Sequence, residues 1–232
     1  MIGALLAGGY GKRLQSVAAD VPKVLLPLKG DYLILDRQLS DFKKAEVDEV
    51  YLLTGYRGDM IEKRYGEEWK GIAIKYLREE QPKGTLWSVK NLYTNVNSDI
   101  ILRNGDTLCD VDLREFIRFS KNKDTLASIV VTKMRSPYGL VYMSGSRVSK
   151  FVEKPLLNHY VNAGTYFLRK ELGHVMKRNF NSKNFEVSVL KSLAPKGELT
   201  AYRFNGFWKP IDNPKDYEEA REIFSNRNVS QD

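Results

Sequence analysis

The stretch Gly3-Ala4-Leu5-Leu6-Ala7-Gly8-Gly9-Tyr10-Gly11-Lys12-Arg13-Leu14, followed by Val21-Pro22-Lys23-Val24-Leu25, decides how the chain reads. Its opening residues are apolar and uncharged, the pattern of a buried strand. They run into glycines, which let a backbone turn sharply and bring its N–H groups against a ligand, and then into two cations that neutralise phosphate charge. The segment predicts a triphosphate cradle at the end of a first strand. Glycines alone would equally make a plain strand-to-helix turn with Lys12 and Arg13 solvated. Two familiar glycine loops are excluded. The dinucleotide fingerprint needs a third glycine where Leu14 stands, and the ATPase loop needs Ser or Thr after Gly11-Lys12, where Arg13 stands.

Outward from this stretch, strand-like and helix-like patterns alternate. Strands are predicted over 2–6, 50–53, 72–77 and 99–102, and helices over 34–44, near 59–65 and after Thr85. Such alternation implies a mostly parallel sheet covered by helices. Beyond it, 126–132, 139–142, 148–153 and 161–168 read as strands joined by turns too short for crossover helices, so antiparallel pairing is expected there. Helices near 170–176 and 184–193, a strand over 199–204 and a last helix capped by Asn213 with Pro214 in its first turn complete the chain. Asp112 and Glu115 form a capping box before a further helix. The expectation is a single domain over 1–224, with a nucleotide-binding half about 1–112, a sugar-binding half about 113–224 and a frayed tail over 225–232.

The 232 residues are 42% hydrophobic and 28% charged, ordinary for a globular protein with a real core. The formal charge of +8 points to anionic ligands. The basic residues are scattered and no nucleic-acid motif is present, so phosphorylated small molecules explain the charge better than DNA or RNA. A single cysteine, Cys109, excludes an intrachain disulfide and fits a reducing cytoplasm. No apolar run reaches the ~20 residues of a membrane helix, and no secretory leader is expected. His159 and His174 lack partners at zinc spacing, and no serine elbow is present.

In an open α/β sheet, ligands bind beyond the C-terminal ends of the strands. That rule gathers the glycine loop, Gly84-Thr85 and Asn104-Gly105-Asp106 at one edge. Asp106 offers a hard oxygen ligand suited to Mg²⁺, although Asn-Gly-Asp is also an ordinary strand-ending turn. Glu79 can accept from the N–H edge of guanine or the amino group of cytosine, or can be one of a solvated acidic pair.

The string A-G-G-x-G-x-R-L, with Pro22-Lys23 behind it, resembles the sugar-1-phosphate nucleotidylyltransferases. So do Glu79-Glu80-Gln81-Pro82-Lys83-Gly84-Thr85, with departures at Gln81 and Lys83, and Tyr138-Gly139, Glu153-Lys154-Pro155 and Asn162-Ala163-Gly164. The resemblance runs from Ile2 to about Phe224. It implies an α/β, Rossmann-like mixed, mostly parallel sheet flanked by helices, with a small β-rich sugar-binding portion. The implied reaction joins a sugar 1-phosphate to a nucleoside triphosphate with release of pyrophosphate.

The same resemblance implies catalytic roles for Arg13, Lys23 and Asp106, and nucleotide contacts from Leu6, Ala7, Gly8, Gly9, Gly11, Lys12, Glu79, Gly84, Thr85 and Gly105. Sugar-phosphate contacts fall to Asn104, Gly139, Glu153, Lys154, Asn162 and Gly164, and Mg²⁺ to Asp106 with Asp212. Relatives usually carry an aspartate two positions before Asp212, where this chain has Pro210. Asp212 then either takes over as ligand or serves only the cap of the last helix. The run from Leu14 to Lys23, including Ser16 and Ala18, looks most like the manno-heptose and mannose 1-phosphate enzymes, with GTP or CTP as donor. A glucose-1-phosphate thymidylyl- or uridylyltransferase and a non-catalytic nucleotide-sugar sensor are the alternatives. The expected partners are the two substrates, with self-association left open and no nucleic acid or membrane.

Overall fold

A computed structural model describes residues 1–9, 11–14, 17 and 20–226. Tyr10, Ser16, Ala18, the side chain of Lys12 and residues 227–232 of the tail lie outside the described residues.

The apolar opening forms β1 (Ile2–Ala7). A short hairpin follows, β2 (Pro27–Lys29) and β3 (Tyr32–Leu33), leading into α1 (Ile34–Lys44). Next come β4 (Glu49–Thr54), α2 (Gly58–Tyr65), β5 (Glu68–Trp69), β6 (Ile72–Arg78) and α3 (Thr85–Asn95). Then β7 (Ile100–Asn104) and β8 (Thr107–Cys109) flank the Asn-Gly-Asp turn before α4 (Leu113–Lys121). Asp112 caps α4, its carboxylate accepting from the N–H groups of Arg114 and Glu115.

The second half holds β9 (Ala127–Arg135), β10 (Leu140–Ser144), β11 (Arg147–Val152), β12 (Leu156–Leu168) and α5 (Leu172–Met176). The helix expected over 184–193 begins as a π-helical turn, Glu186–Leu190, and continues as α6 (Lys191–Leu193). The chain finishes with β13 (Leu199–Arg203), β14 (Trp208–Pro210) and α7 (Pro214–Ser225), which Asn213 caps. The last helix therefore includes Ser225, where fraying was expected to begin.

Eight strands form one sheet in the order β13-β9-β12-β7-β1-β4-β6-β5. β7, β1, β4 and β6 run parallel, and β12 lies antiparallel to both β7 and β9. β10 and β11 pair antiparallel as a separate arm. β13 joins the outer edge of β9 in parallel, after a connection from β12 that carries α5, the π-helical turn and α6. β14 pairs with β8, so the end of the chain returns to the Asn-Gly-Asp turn.

Alternation along the strands divides the core into two layers. Leu5, Leu52 and Ile101 face Leu35, Leu39 and Phe42 of α1 and Phe116 of α4. Ala4, Leu53, Leu102 and Tyr166 face Val89 and Leu92 of α3 with Leu172 and Val189. A third cluster, including Leu14, Leu26, Leu28, Ile211 and Phe224, brackets Lys23 in sequence on one side and Asp212 on the other.

Arg103 breaks the apolar pattern of β7 and is 1% exposed. Its guanidinium donates to Asp41 of α1 at 2.7 Å and to the Cys109 carbonyl at 3.1 Å, while Asp41 also meets Arg37. Burial pulls the Arg103 pKa down to about 10, which leaves the group charged at neutral pH. Asp41→Ala leaves that buried cation without its counter-charge and should cost about 3–5 kcal/mol in urea unfolding. A loss below about 1 kcal/mol would make the pair no more valuable than a surface contact.

Candidate active site

The chain moves outward from β1 to β4 and β6, then crosses back to β7 on the other side of β1. In such a sheet the strand order reverses at β1 and β7, and the crevice beyond their C-terminal ends is the natural ligand site. The glycine loop leaves β1 there and the Asn104-Gly105-Asp106 turn leaves β7. The two touch: the Gly105 N–H donates to the Leu6 carbonyl at 3.1 Å. A Cβ at Gly105 would stand 2.7 Å from that carbonyl oxygen and 2.9 Å from Val24 Cγ1, so only glycine permits this approach. Gln38 of α1 clamps the turn, its Nε2 donating to the carbonyls of Thr107 at 2.8 Å and Asn104 at 3.3 Å.

A cavity of about 380 Å³ opens between these loops. Leu6, Ala7, Gly9 and Gly11 form one wall, and Arg13, Lys23, Asp106 and Asp212 supply the charge. Lys23 is the hub. Its Nζ donates to Asp106 Oδ2 at 3.0 Å and to the Ile211 carbonyl at 3.1 Å, and lies 3.9 Å from Asp212 Oδ1. The Ile211 N–H in turn donates to the Asp106 carbonyl at 2.9 Å. Pro210 fits beside Thr107 at the end of the short β8–β14 ladder. Asp212 therefore faces the cavity, and the helix cap is Asn213, which accepts from the Asp216 N–H at 3.0 Å.

Two carboxylates converging on one ammonium form a cation site of hard oxygen donors. That donor set fits Mg²⁺, which is commonly bound through one or two carboxylates together with substrate phosphates and water. Among the described residues no group of three or more His, Cys, Asp or Glu side chains could hold a metal ion.

A second cavity of about 320 Å³ shares Leu6, Gly9 and Asp106 with the first. Gly8, Glu79, Pro82, Gly84, Thr85, Asn104 and Glu186 also line it. Glu79 already has two partners, accepting from the Lys83 N–H at 2.7 Å and the Ser88 hydroxyl at 2.5 Å. It closes the 79–84 loop and is not a free solvated acid. Thr85 Oγ1 accepts from the Phe185 N–H at 2.9 Å, tying α3 to the segment before the π-helical turn.

The expected sugar-phosphate residues divide into two groups. Gly164 (φ +72°) packs against Asn104, whose Nδ2 would be 2.9 Å from a Cβ there, so these two lie together beside the second cavity. Asn162 donates to the Tyr166 hydroxyl at 2.8 Å and accepts from the Gly164 N–H at 3.0 Å. Gly139 and Glu153 meet at the root of the β10–β11 arm, where Glu153 Oε2 would be 2.9 Å from a Gly139 Cβ. Neither these two nor Lys154 lines either cavity.

Residues 2–227 match the nucleotidyl transferase family. The chain belongs to that family. Among curated relatives it is 33% identical to the mannose-1-phosphate guanylyltransferase catalytic subunit beta of Xenopus tropicalis over 92% of this chain. It is 31% identical to the mannose-1-phosphate guanyltransferase of Yarrowia lipolytica over 94%. The chain spans 61% and 62% of those relatives' lengths. Among solved structures, HddC from Yersinia pseudotuberculosis superposes with a TM-score of 0.74 at 27% identity, covering 97% of this chain and 100% of that one. A Bacillus anthracis structure titled as a putative glucose-1-phosphate thymidylyltransferase gives 0.80 at 20% identity over 100% and 98%, a likeness of fold alone. The mixed, mostly parallel sheet with flanking helices agrees with the fold of these solved structures.

Arg13, Lys23 and Asp106 were legible from motif; Gln38 and Glu186 were not. Gln38 sits in an amphipathic helix pattern, where an amide reads as surface. Glu186 opens an apolar run and has no motif around it.

Gly105→Ala and Gly9→Ala separate close approach from mere flexibility. The first forces a Cβ against backbone and should lose about 1–3 kcal/mol in chemical denaturation. A Cβ at Gly9 would meet nothing within 4 Å among the described residues, so its alanine variant should stay within about 0.5 kcal/mol of the parent. Equal losses would contradict the packing of the Asn-Gly-Asp turn on the glycine loop.

Proposed function

We propose that this nucleotidyl transferase joins a manno-configured sugar 1-phosphate to GTP, giving the GDP-sugar and pyrophosphate. The observation that carries the reading is the convergence of Lys23, Arg13, Asp106 and Asp212 on one cavity beside the glycine loop. Support for mannose and guanine comes from relatives named mannose-1-phosphate guanylyltransferases, and from HddC, which is described in complex with GMP-PN and is 27% identical.

A phosphate oxygen of the sugar 1-phosphate attacks the α-phosphorus. The new P–O bond forms as the α–β phosphoanhydride bond breaks, and pyrophosphate leaves with the electron pair. No covalent enzyme intermediate is required, so catalysis reduces to positioning and charge neutralisation. The backbone of Leu6, Ala7, Gly8, Gly9 and Gly11 cradles the triphosphate. Arg13 neutralises the leaving pyrophosphate. Lys23 faces the α-phosphate and the incoming phosphate, and as a compact ammonium on a flexible stem it can exchange a carboxylate for a phosphate oxygen. Asp106 and Asp212 would hold Mg²⁺, which would further neutralise the charge of the triphosphate.

Pro210 raises the rival reading of a non-catalytic nucleotide-sugar sensor. The position of Asp212, 3.9 Å from the ammonium that Asp106 also holds, favours the enzyme.

With GTP, mannose 1-phosphate and Mg²⁺, pyrophosphate release should be robust and should be abolished by chelation. Asp106→Ala, verified as folded by its thermal melt, should lower kcat on the order of 100- to 1000-fold. Absence of release across a panel of nucleoside triphosphates and sugar 1-phosphates would sink the enzyme reading.

A further inference from the structure

The face of β7 that carries Ile100 and Leu102 also carries Asn104, so this side chain stands over the layer containing Tyr166 and Val189. Tyr166 is fully buried, and its hydroxyl lies among Asn104, Asn162 and Glu186. It donates to Glu186 Oε1 at 3.0 Å. Burial, with the neighbouring Glu186 charge, pushes the tyrosine pKa up, so the hydroxyl remains a donor. One oxygen of Glu186 is thereby occupied and its direction fixed.

The remaining acceptors are the informative atoms. Glu186 Oε2 and Asn104 Oδ1 are both buried and have no hydrogen-bond partner among the described residues. Both residues line the second cavity. A buried acceptor without a donor is costly, and neither atom is reached by bulk solvent. A molecule seated in the cavity can supply the missing donors. Two unpartnered acceptor oxygens side by side describe a site for hydroxyl donors. Glu186 is also the first residue of a π-helical turn, a distortion that recurs at functional sites.

We propose that Glu186 and Asn104 form an acceptor pair that reads hydroxyls of the sugar ring, making Glu186 a specificity-determining residue and Tyr166 its positioning residue. The inference rests on the nucleotidyl-transfer reading above. The sugar is favoured over the nucleotide ribose because Asn162 and Gly164, on β12, belong to the same cluster. Glu186→Gln keeps the shape while replacing one acceptor with a donor. Tyr166→Phe keeps both acceptors and removes the strut.

The test measures pyrophosphate release for the wild type, E186Q and Y166F, with mannose 1-phosphate and its monodeoxy analogues, and with GTP and 2′-deoxy-GTP. Thermal melts verify that each variant is folded. E186Q should raise KM for mannose 1-phosphate about tenfold or more, leaving KM for GTP within about twofold. Its discrimination against one deoxy-sugar should shrink correspondingly, and Y166F should shift the sugar KM in the same direction. An unchanged sugar KM in folded E186Q would overturn the inference while leaving the enzyme reading intact. Loss of discrimination between GTP and 2′-deoxy-GTP would overturn it in favour of the ribose. A wild type inactive with every sugar 1-phosphate overturns both readings together.

Discussion

The ammonium of Lys23 joins three segments that are far apart in the chain. Its contacts at Asp106 and the Ile211 carbonyl are separated from it by 83 and 188 positions. Asp212 completes the set at 3.9 Å. Without this cation, two carboxylates would face each other across a half-buried cleft, and their repulsion would push the β7 turn away from the last helix. Lys23 is placed for the role by the apolar residues around it. Leu14 and Leu26 are anchored with Ile211 and Phe224 in one cluster.

The topology explains why the charges meet where they do. Reversal of strand order at β1 and β7 leaves a crevice at their C-terminal ends, and the absence of a side chain at Gly105 lets the two loops close on it. The Asn-Gly-Asp turn is then pinned by Gln38 and backed by the buried Arg103–Asp41 pair. These contacts hold Asp106 in place before any ligand arrives. Such preorganisation is how a site based on charge neutralisation avoids reorganising at the moment of reaction.

Much of this was legible in the residues themselves. The helix over 34–44 appears with those bounds as α1, because Leu35, Leu39 and Phe42 recur at helical spacing. The glycine loop, Gly84-Thr85 and Asn104-Gly105-Asp106 gather at one sheet edge because parallel strands put their following loops on the same side. The β8–β14 ladder was not legible. Each strand has three residues, too few to show alternation, and Pro210 argues against a ladder in sequence terms. Arg103 reads as an exposed charge until Asp41, 62 positions away, is brought beside it. Glu186 is hidden for the same reason, since its partner Tyr166 and its neighbour Asn104 belong to other elements. Glu79 was legible as a loop residue, but its hydrogen bonds to Lys83 and Ser88 depend on a turn that spacing does not reveal.

In the proposed reaction Lys23 exchanges a carboxylate for substrate phosphate. A crystal structure of the protein with GTP and Mg²⁺ tests it directly. The triphosphate should lie against Gly9 and Gly11, with Lys23 Nζ moved from Asp106 to a phosphate oxygen and Arg13 at the β- and γ-phosphates. A triphosphate bound elsewhere, or a Lys23 still paired with Asp106 while the nucleotide is in place, would contradict the account.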